Sequence, residues 1–221
     1  PESLPPALRR PFSWRGLGPF ASFMRLRGTG PVAGLLASML LFQVAYLTSH
    51  AVWPFFTTAR FHWQPAQIGW SLAFAGLAVA AVQGAILGPV VARIGEERTA
   101  ALGFLMVAAT FIAIALASAD WMLYALILPY AFASIGASSL SSMLSKAVPA
   151  NMQGEAQGLA ASVANLAAVG TPLLMTSVFE AFAAEGSATY FPGAPYLLGG
   201  LLALAGLAAF ARLLRPSLAR S

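Results

Sequence analysis

Apolar residues run in six long blocks, at about 32–56, 67–91, 99–118, 122–144, 158–182 and 195–214. Each block is much longer than a buried strand. Each approaches or exceeds the roughly 20 residues a helix needs to cross a bilayer's hydrocarbon core. No water is present in that core to bond backbone amides and carbonyls, so every block is expected to be a helix. Proline interrupts four of them, at Pro54, Pro89, Pro129 and Pro172. Membrane helices tolerate this because neighbouring groups re-satisfy the freed carbonyl. Pro54 and Pro89 fall near block ends and are expected to mark helix termini. Connections are short except at 1–31 and 183–194. The first mixes Arg9, Arg10, Arg15, Arg25 and Arg27 with Phe12, Trp14, Phe20 and Phe23, which suits a linker or a segment at lipid headgroup level. The second contains Gly186, Ser187, Pro192, Gly193 and Pro195 and reads as a surface loop. The expected organisation is a cytoplasmic linker or interfacial segment over 1–31, a six-transmembrane-helix bundle over 32–214 and a cytoplasmic tail over 215–221. The fold class is an all-α membrane protein.

Composition strengthens this picture. The chain is 59% hydrophobic and 9% charged, with a mean hydropathy of +0.77. Soluble domains carry about 25% charged residues, so this chain cannot coat a water-facing surface. There is no cysteine, which excludes disulfides and cysteine metal sites. The isoelectric point near 10.2 suggests a basic surface, yet the basic residues sit at the ends and turns of apolar blocks and form no stripe. A nucleic-acid partner is therefore excluded. Residue 1 is Pro, and no basic-then-apolar leader follows it. The sequence is expected to begin inside a longer chain.

Charge fixes an expected orientation. With residues 1–31 in the cytoplasm and six crossings, eleven basic residues fall inside: Arg9, Arg10, Arg15, Arg25, Arg27, Arg93, Arg98, Lys146, Arg212, Arg215 and Arg220. Only Arg60 falls outside. The reversed topology gives the opposite ratio, so both termini are expected in the cytoplasm. Four charges gather at one bend, in "GPVVARIGEERTA" (88–100). Gly88 and Pro89 are expected to loosen the end of the second span. Arg93 lies near the C-terminal carbonyls of that span, and Glu96 and Glu97 precede the next, as helix dipoles favour. Gly95 permits the turn between them.

Polar side chains inside spans are costly and mark interfaces or pathways. Span one carries Gln43, Tyr46, Thr48, Ser49 and His50, with 43, 46 and 50 on one helical face. Span two carries Gln83. Span four carries Ser134, Ser138, Ser141, Ser142 and Ser145. Span five carries Ser162, Asn165, Thr171 and Thr176. Close packing is the plainer account of the serine face and of Gly84 and Gly88, whereas Gln43, Gln83, His50 and Asn165 are candidates for a polar path. Spans three and six are nearly devoid of polar groups and are expected to face lipid, leaving spans one, two, four and five to face each other or a water-filled cavity. No enzyme signature occurs. His50 and His62 are too far apart for a helical metal pair, and no buried acid pair, nucleophile elbow or phosphate loop is present. Neither a catalytic residue nor a metal or cofactor site is expected.

Several segments, in order, resemble one family. "PESLP" (1–5) is similar to the start of a central cytoplasmic loop. "RFHW" (60–63) and "IGWSLA" (68–73) resemble an outer loop and the start of an eighth span. "GPVVARIGEER" (88–98) resembles the degenerate second copy of a cytoplasmic loop motif, and "MQGEAQG" (152–158) and "GTPLL" (170–174) resemble the loop and the Gly170–Pro172 kink of an eleventh span. Together they resemble the C-terminal half of a major facilitator superfamily transporter, in the drug/proton antiporter branch that includes tetracycline efflux proteins. The resemblance implies spans seven to twelve of a twelve-helix fold, built as two inverted three-helix repeats. It implies a partner N-terminal six-helix half and residence in a bacterial inner membrane. It also implies export of a small amphiphilic compound or drug in exchange for protons. Gln43 and Gln83 match glutamines of that group. Its coupling histidine and aspartate fall at Val79 and Val107, and the loop motif's aspartate at Ala92. On this reading Gln43, Tyr46, His50, Gln83 and Asn165 line the substrate path, and Gly88, Pro89, Arg93, Gly95 and Arg98 form the cytoplasmic gate. The alternatives are a facilitator or symporter of sugars or metabolites, and a non-transporting membrane scaffold.

Overall fold

A computed structural model of the chain describes residues 32–183 and 190–218, with side chains as far as Leu214. The expected segment 1–31 and the last three residues of the expected tail lie outside the described residues. Among the described residues seven α-helices follow one another: α1 (Val32–Phe61), α2 (Pro65–Ala81), α3 (Leu87–Ala115), α4 (Asp120–Ala133), α5 (Ile135–Lys146), α6 (Gln153–Ala183) and α7 (Ala194–Leu218). A π-helical stretch, Val82–Ile86, joins α2 to α3, and a 3₁₀ turn at Ala150–Met152 leads into α6. Five stretches are long and apolar enough to cross a membrane, and one of them runs 51 residues from Pro65 to Ala115. At 1.5 Å per residue that stretch would extend about 77 Å, far more than a hydrocarbon core of about 30 Å. It is broken at Gly95, which has φ 80° and ψ 165°, a region almost confined to glycine. The break divides the stretch in two, so six spans result. The fourth is α4 and α5 together, interrupted at Ser134.

Pro54 and Pro89 do not end their helices. α1 continues seven residues past Pro54, to Phe61, and the Thr57 hydroxyl donates to the Trp53 carbonyl at 2.8 Å in the turn that holds the proline. Pro89 has no N–H to offer the carbonyl four residues back. The wider π turn lies directly before it, where Leu87 N–H bonds the Val82 carbonyl, and the helix passes through to Gly95. Pro65 begins α2 in the first-turn position that suits proline, and the Gln64 N–H donates to Gln67 Oε1 at 2.9 Å. Gly170 and Pro172 lie within α6, which runs from Gln153 to Ala183.

Spans three and six each carry two faces: Leu105 and Ile112 on α3 and Leu201 and Leu204 on α7 are exposed, as a lipid-facing side requires, while the opposite faces are packed. The segment of α3 beyond Gly95 buries Phe104, Val107, Phe111 and Ile114, and α7 buries Tyr196, Ala203 and Phe210. α7 lies against both α1 and α3, α1 lies against α6, and α3 lies against α4 and α5. Backbones approach closely where glycine permits. A Cβ at Gly103 would stand 2.5 Å from the Gly136 Cα, and one at Gly206 would stand 2.5 Å from the Phe104 ring. Gly84 and Gly88, expected at a packing face, have open space around them. The spans with the broadest uncovered faces are two and five: Trp70 and Leu77 on α2, and Leu166, Val169 and Leu173 on α6, are largely exposed. Lipid tails are as apolar as leucine, so an apolar helix carries no sign of whether lipid or another helix covers each face.

Candidate functional site

An apolar cavity of about 500 Å³ lies between α1, α2, α4 and the end of α3. α1 contributes Tyr46, Ser49, His50 and Trp53, one turn apart along a single face. α2 contributes Ser71, Leu72, Ala75, Gly76 and Val79, α3 Ile114, and α4 Leu126, Ile127 and Tyr130. Among the described residues no Asp, Glu, Lys or Arg lines it. An apolar wall with a few convergent polar groups is the usual character of a small-molecule site.

The polar groups are fixed by aromatic packing. Tyr46 and Tyr130 stack at 4.7 Å between centroids and 9° between planes. Phe42 continues the stack behind Tyr46, and Phe111 lies behind Tyr130. The Tyr130 hydroxyl stands 3.2 Å from His50 Nδ1 and donates to the Tyr46 carbonyl at 3.4 Å. Across the cavity the Trp53 indole N–H donates to Ser71 Oγ at 2.9 Å, and Ser71 donates to the Ile68 carbonyl at 2.7 Å. Trp63, at the 62–64 turn, packs edge-on against Trp53, and its indole N–H donates to Asp120 Oδ1 at 3.2 Å.

The residues expected to line one path separate into four places. Tyr46 and His50 lie together in the large cavity. Gln43 does not reach it: it lines a separate pocket of about 270 Å³ with Phe42, Ser141, Gln157 and Ala164. Positions 43 and 50 share a face but lie two turns, about 10 Å, apart along the axis, and the Phe42–Tyr46 stack stands between. Gln83 is engaged elsewhere. Its amide N–H bonds the Ser134 carbonyl at 3.2 Å and Ser134 Oγ at 3.1 Å, and its Oε1 accepts from Ser138 at 3.1 Å. Asn165 is exposed on α6. Val79 is part of the cavity wall, whereas Val107 is fully buried in the core. Tyr130, Ser71 and Trp53 complete the site without having been singled out. Tyr130 stands beside Pro129 in an apolar block, and nothing in that block marks it as polar-facing.

The bend forms a second polar cluster. Gly88, Pro89, Arg93 and Arg98 are exposed. Gly95, Glu96, Glu97 and Arg98 border a groove with Met143, Lys146 and Ala147 of the fourth span's end. Glu96 Oε1 accepts from Lys146 Nζ at 2.9 Å and from the Ser142 hydroxyl. Partial burial pushes the Glu96 carboxyl upward. The Ser142 hydroxyl and the bond and charge of Lys146 outweigh it, so the carboxyl is held below its ordinary value. No group of three metal-ligating side chains occurs among the described residues.

A bundle of apolar helices long enough to span a bilayer, with a polar-edged cavity between them, defines an all-helical integral membrane protein. The chain belongs to the Major Facilitator Superfamily, whose sequence pattern matches residues 19–221. It is 32% identical to the class C tetracycline resistance protein of Escherichia coli over 92% of its own length and 50% of that protein's. It is 34% identical to the class G tetracycline resistance protein of Vibrio anguillarum over 72% of its length and 39% of that protein's. The chain thus spans about half the length of the curated relatives it matches. The fold is also that of the human organic anion transporter MFSD10 (TETRAN), with a TM-score of 0.74 over 95% of this chain and 52% of that one, at 24% identity.

Proposed function

We propose that the chain is the C-terminal six-span half of a secondary active transporter that exports a small amphiphilic compound or drug. Exchange for protons and alternating access between two bundles complete the reading. The observation that carries it is the cavity of about 500 Å³ edged by Tyr46, His50, Ser71 and Tyr130, together with relatives that are named tetracycline resistance proteins. The uncovered faces of α2 and α6 meet the N-terminal six spans in this reading, and the groove at Gly95, Glu96 and Arg98 closes the cytoplasmic side. Residence is in a bacterial inner membrane with both termini in the cytoplasm. Export by the full-length protein tests it. Tyr46→Leu removes the central ring of the stack and is expected to slow export about three- to tenfold, from the ~1 kcal/mol that such an aromatic pair contributes. Export at the wild-type rate in this variant would reject the cavity as the binding site.

Val79 and Val107, standing where the resemblance implies coupling groups, favour one alternative, a facilitator of sugars or metabolites. Collapsing the proton gradient with an ionophore separates the two. An antiporter stops accumulating its substrate against a gradient, while a facilitator goes on equilibrating it.

A further inference from the structure

We infer that the cavity takes an electron-rich aromatic ring, held with its π face against the rims of the chain's own aromatic side chains. This rests on the cavity being the binding site. The tyrosines at its edge belong to a layered cluster. Tyr46 and Tyr130 cover a face of each other at 4.7 Å and 9°. Phe42 lies nearly parallel to Tyr46, at 5.9 Å and 11°, and Phe111 to Tyr130, at 6.1 Å and 16°. Four rings thus share one orientation, with their faces turned to one another. Phe42 and Phe111 are fully buried, Tyr130 is 6% exposed and Tyr46 is half-buried. A ring with a whole face open would be far more exposed than Tyr130 is. Trp53, which also lines the cavity from α1, is no more open. It is 4% exposed and meets Trp63 at 80° between planes. These side chains therefore bring ring rims to the cavity.

The polar ends of two of them are already engaged. The Tyr130 hydroxyl donates to the Tyr46 carbonyl and stands 3.2 Å from His50 Nδ1. The Trp53 N–H donates to Ser71 Oγ. What remains for a ligand is the C–H rim. The quadrupole of an aromatic ring makes its rim positive and its face negative. A row of rims is thus a weakly electropositive wall that needs no ionised group. Its complement is an electron-rich π face, set across the tyrosine rims at the centroid separations of about 4.5–7 Å usual for edge-to-face pairs. The wall is preorganised, because the stack holds each ring in place before a ligand arrives. All the rings that cover these faces belong to this chain, so the presentation of the rims does not depend on the spans proposed for the other half. A cavity of about 500 Å³ has room for a substituted or fused ring.

Equilibrium binding of four probes to the full-length protein in lipid nanodiscs tests this, with uptake by protein-free nanodiscs subtracted. The probes share one neutral glycol tail and differ in the ring: dimethoxyphenyl, phenyl, symmetric trifluorophenyl and pentafluorophenyl. Their π faces run from electron-rich, through nearly neutral, to electron-poor, and the last three differ little in size. Affinity is expected to fall in that order, by about fivefold or more from first to last, in keeping with the worth of an aromatic pair. Tyr46→Phe, which loses the hydroxyl and keeps the rim, should retain the order. Tyr46→Leu, which loses the rim, should flatten it. Thermal melting checks that both variants are folded, and the wild-type order is a test by itself should Tyr46→Leu fail to fold. The opposite order, with the pentafluorophenyl probe bound best, would mean that ring faces are presented. It would overturn the inference and leave the cavity standing as the binding site. So would equal binding of all four probes, an order lost in Tyr46→Phe, or an order that survives in Tyr46→Leu. No specific binding of any probe would overturn the cavity as the binding site, and the inference with it.

Discussion

Gln83 ties the π-helical stretch to the break at Ser134, using its N–H group and its carbonyl at once. Both partners sit where a helix departs from regular α geometry, so one side chain fixes the relative position of the second and fourth spans. Interhelical hydrogen bonds in membrane proteins average about 0.6 kcal/mol and reach about 1.7. A double-mutant cycle of Gln83→Leu and Ser138→Ala, read by denaturation in mixed micelles, should return a coupling energy in that range. Coupling indistinguishable from zero would remove the clasp. At this scale the sequence was partly legible. Tyr46 and His50 declare themselves by sharing a face at one-turn spacing. Gln43 has the same angular position and still lies outside the cavity, because helical periodicity reports direction and not depth. Tyr130 was hidden for a different reason. A phenol in an apolar span is as consistent with a packed aromatic as with a polar edge, and only its 3.2 Å approach to His50 decides.

At the scale of elements the decisive residue is Gly95. Its φ of 80° with ψ of 165° is open to glycine and costs other residues about 1–3 kcal/mol. A Cβ there would meet nothing within 4 Å, so the penalty of Gly95→Ala is purely conformational. Gly158→Ala is the matched control: it also has open space but sits inside α6, where alanine is favoured by roughly 0.5–1 kcal/mol. Thermal melting should therefore show the first variant destabilised and the second unchanged or improved. Beside the break, Glu96 fastens the start of the third span to the end of the fourth through Lys146 and Ser142. Its carboxyl is held below the ordinary carboxylate value, so the folded state binds its proton less readily than the unfolded chain does. The resulting stability is fully present above the unfolded value and is lost as pH falls through the folded one. Lys146 is 70% exposed, which limits the contribution to about 1 kcal/mol or less. The melting difference between wild type and Glu96→Gln should be visible near neutral pH and vanish in acid. A difference that grows in acid would contradict the geometry. The break at Gly95 could be read from glycine between two charge clusters. The survival of α1 through Pro54 and of the helix through Pro89 could not, since a proline in an apolar span is tolerated through its surroundings, which beside Pro89 include a π turn that no residue pattern announces.

For the whole molecule, the presence of membrane-length helices follows from apolar length, because bilayer thickness sets that length directly, but their limits do not: α1 runs on to Phe61, and one stretch runs from Pro65 to Ala115 until Gly95 divides it. Which face of an apolar span packs inside the bundle does not follow, as α3 and α7 demonstrate by packing through glycines and phenylalanines that would serve equally well against lipid. Orientation is different again, because it depends on charge in the connections and not on packing. The twelve basic residues include Arg60 alone at the turn between spans one and two, against a cluster at the opposite end that contains Arg93, Arg98 and Lys146. Moving that cluster across the membrane would place nearly all the basic charge on the wrong side, which the positive-inside bias opposes. The 221 residues hold no cysteine, so none of them competes for a thiol label. Single cysteines at Ala66, Glu97 and Ala150, all exposed in connections or first turns, leave every Lys and Arg in place. A membrane-impermeant maleimide added to intact cells should label the cysteine at position 66 and reach those at 97 and 150 only after the membrane is opened. The reverse pattern would invert the molecule. It would turn the groove beside Gly95 toward the outside, and with it would go the reading of that groove as the cytoplasmic gate of an exporter.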